Sequence, residues 1–354
     1  MAFIFTADCH LCVRNVKMHR GMTHDSLISF NQIRDLCLKH HADLVIGGDL
    51  FDRARPESEV VLRYQSVVNI LVATGLKVYF IQGQHEKSTP PWAYVGENAF
   101  CLDRKIYGVN DGKRDRSITG LDWRPAEDFN AIINVPEAPK TDIFVGHQVW
   151  ISFHYGVAEA DFATLHNNHQ LLLVGDYHKP HHVGMLGCDA YSTGSISMMS
   201  IDEPESKQVL LFDDGLTPNI LQLKTRPITR WVLRTKEDLD SLMAPNVIAG
   251  AKECCDPFDK PILDVVYDDG IPNVIHHVRE SFAKDTYLWL RPIKKDPSHF
   301  SAAYRQDIGD ADDGVITAIS KLLKGKERDL ATRLWNADHV TSELEEIVEE
   351  EIAT

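Results

Sequence analysis

The first half of the chain repeats one pattern five times: an apolar run of strand length that ends in glycine, aspartate, glutamine or histidine. The five runs read FIFTADCH, ADLVIGGD, LKVYFIQGQH, TDIFVGH and QLLLVGDYH. Runs that are apolar at nearly every position are typical of strands buried on both faces. The pattern therefore predicts a sheet that is covered on both sides.

Helical patterns separate the first three runs. The segment SLISFNQIRDLCLKH places apolar residues at helical spacing behind Ser26, a candidate N-terminal cap. The segment SEVVLRYQSVVNILVATG does the same and ends at Gly75, a residue type that often terminates helices. Strands that alternate with helices predict an α/β architecture with parallel connections.

Side chains that can bind metals follow all five runs. They are Asp8, His10, Asp49, Gln84, His85, His147, Asp176 and His178. Because sheets of this kind bind ligands beyond the carboxyl ends of their strands, we expect these side chains to converge. One aspartate after a strand is ordinary turn chemistry, but five successive strands that end in ligand types favour a metal site.

The spacing within the runs adds detail to this metal site. Asp8 and His10 are alternate residues of an extended segment and point the same way, whereas Cys9 points toward the core. Asp49 has two carboxylate oxygens and could bridge two ions about 4 Å apart. Carboxylate, amide and imidazole ligands together favour Mn²⁺, and Mg²⁺, Fe²⁺ and Zn²⁺ are also compatible.

Composition restricts the remaining classes of protein. The 354 residues are 44% hydrophobic, enough for a large core and for two or three domains. The seven scattered cysteines favour a reducing compartment, and CHLC lacks the second Cys-x-x-Cys of a zinc finger. No apolar run reaches about 18 residues, and no basic segment precedes the apolar start. We therefore expect a soluble, unexported protein with no membrane partner.

The formal net charge of −15 argues against binding nucleic acid through lysine and arginine alone. Seven acidic residues lie after Ala337, where no lysine or arginine occurs. A cleft that holds divalent ions can also be locally positive, because the ions are its largest charges. The acidic composition is therefore compatible with a nucleic-acid substrate.

The polar ends of the five runs also carry a family resemblance. In order, DCH, GDLFD, GQHE, GH and GDYH resemble the five signature blocks of the calcineurin-like metallophosphoesterase superfamily. The loop LCVRNVKMHRGMTHDSL, the block GDLFDRARP and the segment YSTGSISMMSIDEPESKQVLLFD are similar to the SbcD-type nuclease subunit. That subunit is a relative of the meiotic-recombination-eleven nuclease and of phage recombination endonuclease subunits. The resemblance covers roughly residues 1–225.

The resemblance implies a fold and a metal centre. The expected fold is an α/β metallophosphoesterase β-sandwich flanked by helices, with a smaller α+β capping domain and a C-terminal helical segment. Two divalent ions, Mn²⁺ first and Mg²⁺ second, would activate the water that attacks phosphorus. The implied ligands of one ion are Asp8, His10, Asp49 and His178, and those of the other are Asp49, Gln84, His147 and Asp176.

Two further residues receive catalytic roles from the resemblance. His85 would contact the scissile phosphate and help to protonate the leaving oxygen. Asp52 could accept a hydrogen bond from His85 and favour its cationic form, with helix capping or a loop hydrogen bond as the alternative. Two positions depart from the family pattern, since Gln84 replaces the usual Asn and Asp176 replaces the usual first His of the last block. These changes predict a harder, more anionic second metal site.

Three further regions are expected after the phosphoesterase domain of residues 1–225. Residues 226–296 alternate strand patterns (ITRWVLRT, PILDVVY, TYLWLRPI) with helical ones (KEDLDSLM, IPNVIHHVRESFA), as a capping, DNA-presenting domain would. Its candidate phosphate contacts are Arg226, Arg230, Arg234, Arg291, Lys294 and Lys295, with solvated surface charge as the simpler role. Residues 297–313 resemble a linker. Residues 314–354 form helical, acidic patterns with apolar stripes that call for a partner or for docking on the chain itself.

The function that follows is a metal-dependent DNA nuclease with exonuclease and endonuclease activity on double-stranded ends and single strands. The resemblance implies an SbcCD-type complex in DNA recombination, repair and replication, in the cytoplasm of a bacterial or phage-infected cell. Its partners would be a second copy of the chain and an SMC-like ABC ATPase of SbcC type, bound through the C-terminal helices. The alternatives are a metallophosphatase acting on protein or small phosphoesters, and a non-catalytic scaffold. The remaining histidines between and beyond the blocks, such as His169 and His276, are assigned no function.

Overall fold

The computed structural model describes most of the chain up to residue 293. The described residues are 2–15, 18, 22–133, 140–150, 168–185, 187–201, 203, 206–253 and 256–293. The chain divides into two compact units, Met1–Arg291 and Pro292–Thr354, and all but two of the described residues belong to the first. The expected linker (297–313) and helical partner-binding region (314–354) lie outside the described residues.

The described residues form fifteen strands and six helices. The strands are β1 (Ala2–Thr6), β2 (Ala42–Gly47), β3 (Val78–Ile81), β4 (Ala99–Cys101), β5 (Tyr107–Asn110), β6 (Asp115–Leu121), β7 (Ile143–His147), β8 (Leu171–Gly175), β9 (His181–Met185), β10 (Cys188–Ser192), β11 (Lys207–Phe212), β12 (Asn219–Leu223), β13 (Ile228–Leu233), β14 (Ile262–Tyr267) and β15 (Tyr287–Pro292). The helices are α1 (Asp25–His40), α2 (Ser58–Ala73), α3 (Ala126–Ile133), α4 (Lys236–Leu242), α5 (Pro245–Ala251) and α6 (Val274–Phe282). None of these helices has the length and apolar character needed to cross a membrane.

Two six-stranded sheets build the larger part of the fold. The first has the order β12-β11-β1-β2-β3-β4, and the second has the order β5-β6-β7-β8-β10-β9. The five runs singled out in the sequence form β1, β2 and β3 in the first sheet and β7 and β8 in the second. Neighbours among them pair in parallel, whereas the outer strands add antiparallel pairs. The expected α/β sandwich is confirmed.

Alternating side chains place each strand between two cores. In β1, Phe3 and Phe5 pack into a cluster shared by the two sheets, where Val145 and Leu173 come from the second sheet. Ile4 faces the other way, into a cluster built with α1 and α2. A third cluster lies between the second sheet and α3. This layering explains why the runs are apolar at consecutive positions.

The predicted helices occur where expected, but one predicted cap is wrong. Residue 26 lies inside α1, and the N-cap is His24, whose φ is 65°. Ser26 is buried and accepts a hydrogen bond from the backbone N–H of Cys12 at 3.2 Å. At the end of α2 the prediction is confirmed, because Gly75 has a φ of 83° and its N–H donates to the carbonyl of Val72.

A smaller third sheet, β13-β14-β15, follows the two large ones. Its strands and the helices α4 and α6 match the patterns read in residues 226–296, and they share a hydrophobic cluster of their own. The sequence did not predict α5, which begins at Pro245. Met22 and Ile201 pack against Ile262 and Tyr287, so this sheet also contacts the larger part of the same compact unit. The domain boundary near residue 225 stays a prediction.

The described cysteines and His169 lie away from the metal site or point into the core. Cys9 lies in the core beside α1, as expected, and the described cysteines Cys9, Cys12, Cys37, Cys101 and Cys188 are free thiols. His169, to which the sequence assigns no function, is buried beside Phe144, with the ring centroids 5.1 Å apart, and burial lowers its pKa to about 4. A buried neutral imidazole of this kind is a structural residue.

Candidate metal centre

The loops after the five singled-out strands meet at one edge of the two sheets. The backbone N–H of Asp8 donates to the carbonyl of Gly48 at 3.1 Å, and the N–H of His10 donates to that of Asp49 at 2.9 Å. Across the sandwich, the N–H of Asp176 donates to the Asp8 carboxylate at 2.9 Å. The two sheets are therefore joined at the candidate site itself.

Four of the candidate ligands have left-handed backbone conformations. The φ angles are 51° at Asp8, 43° at His10, 47° at Asp49 and 79° at Asp176. Non-glycine residues seldom adopt this region, and such outliers concentrate at functional sites because the surrounding structure must hold them there. The strain aims several side chains at one point, which supports a common ligand.

The first group of candidate ligands is compact. Asp8, His10 and His178 each place a ligand atom within 4.8 Å of the others. The Nε2 atoms of His10 and His178 face each other at 3.1 Å. His10 Nε2 also lies 3.7 Å from Asp49 Oδ2. The structure therefore brings together the four residues expected around one ion, Asp8, His10, Asp49 and His178.

The second group surrounds His147, which is fully buried. Its Nε2 lies 3.3 Å from Asp49 Oδ2. It also lies 3.9 Å from Oδ1 of Asp8 and 3.9 Å from Oδ1 of Asp176. Gln84 donates from Nε2 to Asp176 Oδ1 at 2.7 Å, which leaves its carbonyl oxygen available. The two positions that depart from the family pattern therefore contact each other.

Unpaired buried atoms test whether these residues fit metal ions. Within the described part of the chain, five buried atoms of the site make no hydrogen bond, and they are Asp8 Oδ2, His10 Nδ1, Asp49 Oδ2, Gln84 Oε1 and His147 Nε2. Leaving a buried polar atom unpaired is costly, so native proteins rarely do so without a reason. Four of the five are the oxygen or Nε2 atoms that the expected ligands would offer to an ion. The donor set fits hard-to-borderline divalent ions.

Orientation of the buried imidazole supports the same interpretation. Nδ1 of His147 lies 2.7 Å from the carbonyl oxygen of Gly47, so this nitrogen carries the proton and donates it. In the neutral imidazole, the Nε2 lone pair is thereby directed at the carboxylates, as it is in histidines that ligate metals. Glycine is required next to this ring, because a Cβ at Gly175 would lie 2.4 Å from Nδ1.

Charges within the cluster are strongly coupled. Burial opposes ionisation of Asp49, but His147 and His10 outweigh it and hold the pKa of this carboxyl well below its usual range. Burial likewise disfavours charge on His147, but Asp49 and Asp8 raise the pKa of its imidazole well above the usual value. A divalent ion that binds His147 would displace the proton on Nε2, because ligation uses the neutral imidazole.

The two expected catalytic residues lie beside the cluster. His85 is 41% exposed, and its Nε2 lies 3.9 Å from Asp49 Oδ2. Its Nδ1 lies 3.0 Å from the main-chain carbonyl of Asp52, so the contact expected with the carboxylate is made by the backbone. The Asp52 carboxylate instead faces His10 Nδ1 at 3.6 Å. Asp52 therefore supports two histidines, each through a different group.

Sequence reasoning missed two carboxylates that support the site. Glu86 accepts hydrogen bonds from the N–H groups of Phe51 and Gly83 and so ties two ligand loops together, and burial raises its pKa to about 8.

Glu203 lies 3.3 Å from Nδ1 of His178. Burial opposes its ionisation, but the hydrogen bond with His178 and the Lys207 ammonium lower the pKa of Glu203 to about 2. The final E of GQHE was a usable signal for Glu86, whereas Glu203 lies 25 residues from its partner.

Arginines proposed as phosphate contacts in the third sheet are mostly ion-paired. Arg226 is buried and pairs with Asp25 at the start of α1 and with Asp259. Arg291 Nη2 lies 2.6 Å from Asp264 Oδ2, and Arg230 Nε lies 3.7 Å from the same oxygen. The simpler role of solvated surface charge is also wrong for Arg226, because this buried side chain joins α1 to the third sheet. Lys294 and Lys295 lie outside the described residues.

Comparison with known proteins adds to the geometry. Residues 1–180 match the family model of the calcineurin-like phosphoesterases, which is about half of the chain. The DNA double-strand break repair protein Mre11 of Methanosarcina acetivorans is 26% identical over 246 residues, covering 63% of this chain and 39% of that protein. Among solved structures, Yfce, a phosphoesterase from E. coli, is 17% identical with a TM-score of 0.34, covering 63% of this chain and 98% of that one. The chain thus spans well under half the length of the curated relative it matches.

Proposed function

The chain belongs to the calcineurin-like phosphoesterase family, and from this premise we propose that it is a metal-dependent nuclease that hydrolyses phosphodiester bonds in DNA. The observation that carries the proposal is the pair of ligand groups that meet at the buried carboxylate of Asp49. One group contains Asp8, His10 and His178, and the other contains His147, Asp176 and Gln84. Mn²⁺ suits this mixture of oxygen and nitrogen donors.

The chemistry divides between the ions and the chain. Two divalent ions, when bound, would lower the pKa of a water and neutralise charge on the phosphate. The chain supplies a fixed set of buried donors and excludes bulk water from them. Asp49 also accepts a hydrogen bond from the N–H of His85 at 3.0 Å, which fixes the third loop beside the ligands.

His85 is the proposed proton donor to the leaving oxygen. Its Nδ1–H donates to the Asp52 carbonyl, which fixes the ring and leaves Nε2 on the side of Asp49. At 41% exposure this ring is accessible to a substrate, unlike the buried ligands around it. A protonated Nε2 could contact a phosphate oxygen and transfer its proton as the leaving group departs.

DNA is proposed as the substrate on grounds that reach beyond the metal site. The similarity to the Mre11 repair protein extends over 63% of the chain, more than the family model covers. The third sheet packs beside the larger sheets through Met22, Ile201, Ile262 and Tyr287, where an accessory unit could present a long substrate. We propose double-stranded ends and single strands as substrates, in DNA recombination and repair.

The experiment that tests this function offers several substrates to one enzyme. Purified chain with Mn²⁺ is given end-labelled duplex DNA, single-stranded DNA and a phosphomonoester in parallel. We expect cleavage of DNA that chelation of the metal abolishes. Turnover of the phosphomonoester without any cleavage of DNA would replace the nuclease with the alternative metallophosphatase, and turnover of neither would favour the non-catalytic scaffold.

Partners are proposed from the resemblance alone. We propose that the chain forms a homodimer and that its C-terminal region binds an SMC-like ABC ATPase of SbcC type. Deleting residues 310–354 should abolish co-purification with such an ATPase and leave metal-dependent hydrolysis of small phosphodiesters unchanged. Co-purification of the shortened chain would contradict the proposed role of the C-terminal region.

Replacing Asp176 tests the unusual half of the metal site. Asp176→Asn keeps a residue that tolerates the left-handed φ of 79° and keeps an oxygen for Gln84, but it removes the charge. We expect weaker binding of one Mn²⁺ ion in this variant. Asp176→Ala should lose hydrolysis, whereas Asp176→His should remain active with the same or a different preferred metal. Full activity of Asp176→Ala at micromolar Mn²⁺ would remove this residue from the proposed ligands.

A further inference from the structure

We propose that Glu203 is the positioning residue for His178, and that the buried ammonium of Lys207 compensates the charge of Glu203. Neither residue belongs to the five strand-end blocks. This inference rests on the proposed role of His178 as a metal ligand, and it adds the group that orients that ligand.

The two nitrogens of His178 face different partners. Nδ1 lies 3.3 Å from Oε1 of Glu203, and Nε2 lies 3.1 Å from Nε2 of His10. A carboxylate can only accept, so the proton of a neutral His178 is held on Nδ1 and its lone pair is directed from Nε2 toward the ligand group. Metal-binding histidines are commonly oriented by such an acceptor on the other nitrogen.

Glu203 is itself held by three donors on its second oxygen. Oε2 accepts from the Ser195 hydroxyl at 2.9 Å, from the Met199 N–H at 3.0 Å and from Lys207 Nζ at 2.8 Å. Lys207 is 1% exposed, and its ammonium also donates to the Ser195 hydroxyl at 2.8 Å. A carboxylate with both oxygens occupied cannot rotate freely, so it fixes the ring that it contacts.

The segment that carries Glu203 is fixed on two sides. Asn15 donates to the carbonyl of Met199 at 3.0 Å, and Arg230 of the third sheet donates to the carbonyl of Ile201 at 2.8 Å. Met198 and Ile201 belong to the cluster that contains Ile262 and Tyr287. The orientation of His178 therefore depends on contacts made by the third sheet as well as by the metal-binding loops.

A simple structural ion pair would predict a different outcome from a positioning residue. Replacing one member of a buried ion pair leaves the other charge unpaired and destabilises the fold, whereas replacing both with apolar residues of similar volume is often tolerated. Glu203→Leu combined with Lys207→Met removes both charges and the contact with His178. If the pair is only structural, this double variant should bind metal as the unchanged protein does.

The test measures Mn²⁺ binding by titration calorimetry on the full chain. We expect the double variant to fold with a similar melting temperature and to bind one of two Mn²⁺ ions about 10- to 100-fold more weakly. Glu203→Gln combined with Lys207→Met keeps an oxygen that can accept from Nδ1 and turns the amide NH2 toward the Ser195 hydroxyl, which can accept, so this variant should recover most of that affinity. The matched control is Asp111→Asn with Arg116→Met, a buried pair at the edge of the second sheet, which should leave both affinities unchanged.

The outcomes separate this inference from the function on which it rests. Two Mn²⁺ ions bound with equal affinity by the unchanged protein and by the Glu203→Leu/Lys207→Met variant would overturn the positioning role only. Failure of the unchanged protein to bind Mn²⁺ would overturn the proposed function itself. An equal loss of affinity in the Asp111→Asn/Arg116→Met control would show that removal of any buried pair has this effect, and it would also overturn the positioning role.

Discussion

Replacing Asp49 with asparagine is expected to lower Mn²⁺-dependent hydrolysis by about 1,000-fold or more, because both ligand groups meet at this carboxylate. Its Oδ2 lies 3.7 Å from His10 Nε2 and 3.3 Å from His147 Nε2, so this carboxylate lies between the two groups. Asparagine keeps an oxygen that can accept the N–H of His85, so the loop need not move. Both loss of charge and loss of one ligand oxygen should weaken metal binding.

The control for this substitution lies on β2, the strand that precedes Asp49. Asp43, in the N-terminal half of β2, is 3% exposed and accepts a hydrogen bond from the N–H of Lys77, but it lies away from the ligands. Asp43→Asn should therefore retain hydrolysis and Mn²⁺ binding. Steady-state rates and melting temperatures of the two variants provide the comparison. A rate for Asp49→Asn within tenfold of the unchanged protein would contradict the bridging role.

Replacing His85 with alanine should reduce phosphodiester hydrolysis by about 100- to 10,000-fold and leave metal binding unchanged. The reason is the position of this ring, which is 41% exposed beside the buried ligands. His85 shares a third set of possible donor atoms with His10 and Asp52, but the proposed mechanism assigns its ring to the substrate and not to an ion. Removal of an exposed side chain should cost little stability. The largest effect is expected on substrates whose leaving oxygen is a poor leaving group.

The dependence of the hydrolysis rate on the leaving group tests most directly whether His85 acts as the acid. A substrate with an acidic phenol as leaving group needs little protonation, so His85→Ala should hydrolyse it with a much smaller loss of rate than it shows on DNA. His276→Ala, which removes an exposed histidine of α6, is the matched control and should leave all rates unchanged. Loss of Mn²⁺ binding in His85→Ala would make this residue a ligand instead of an acid.

How far the sequence could predict the fold depends on the range of the interactions. The five singled-out strands and the helices α1 and α2 follow from apolar spacing, which is a local property, and they appear where the pattern places them. The cap of α1 does not, because Ser26 is recruited by a contact with Cys12 across a loop that local rules cannot describe. The short helix α5 is likewise supported mainly by packing against its neighbours.

The site shows the same division between local and distant interactions. The convergence of strand-end residues could be predicted because parallel strands bring their carboxyl ends together. Glu203 could not, since its relation to His178 exists only once the loop after β10 has folded back. The side chain of Asp52 was expected to contact His85, but the left-handed turns of this region place its backbone there instead.

The two departures from the family pattern gain meaning only in three dimensions. Read separately, Gln84 and Asp176 predict a harder, more anionic second metal site. In the structure the longer amide reaches the carboxylate and donates to it at 2.7 Å. An asparagine would be one methylene shorter, and a histidine would offer no carboxylate oxygen, so the two residues form one matched change.

Anomalous diffraction from crystals of the unchanged protein soaked in Mn²⁺ tests the central claim most directly. We predict two peaks about 4 Å apart. One should lie among Asp8, His10 and His178 and the other beside His147 and Asp176, with the carboxylate of Asp49 contacting both. A single peak, or peaks that do not contact Asp49, would contradict the two-metal centre.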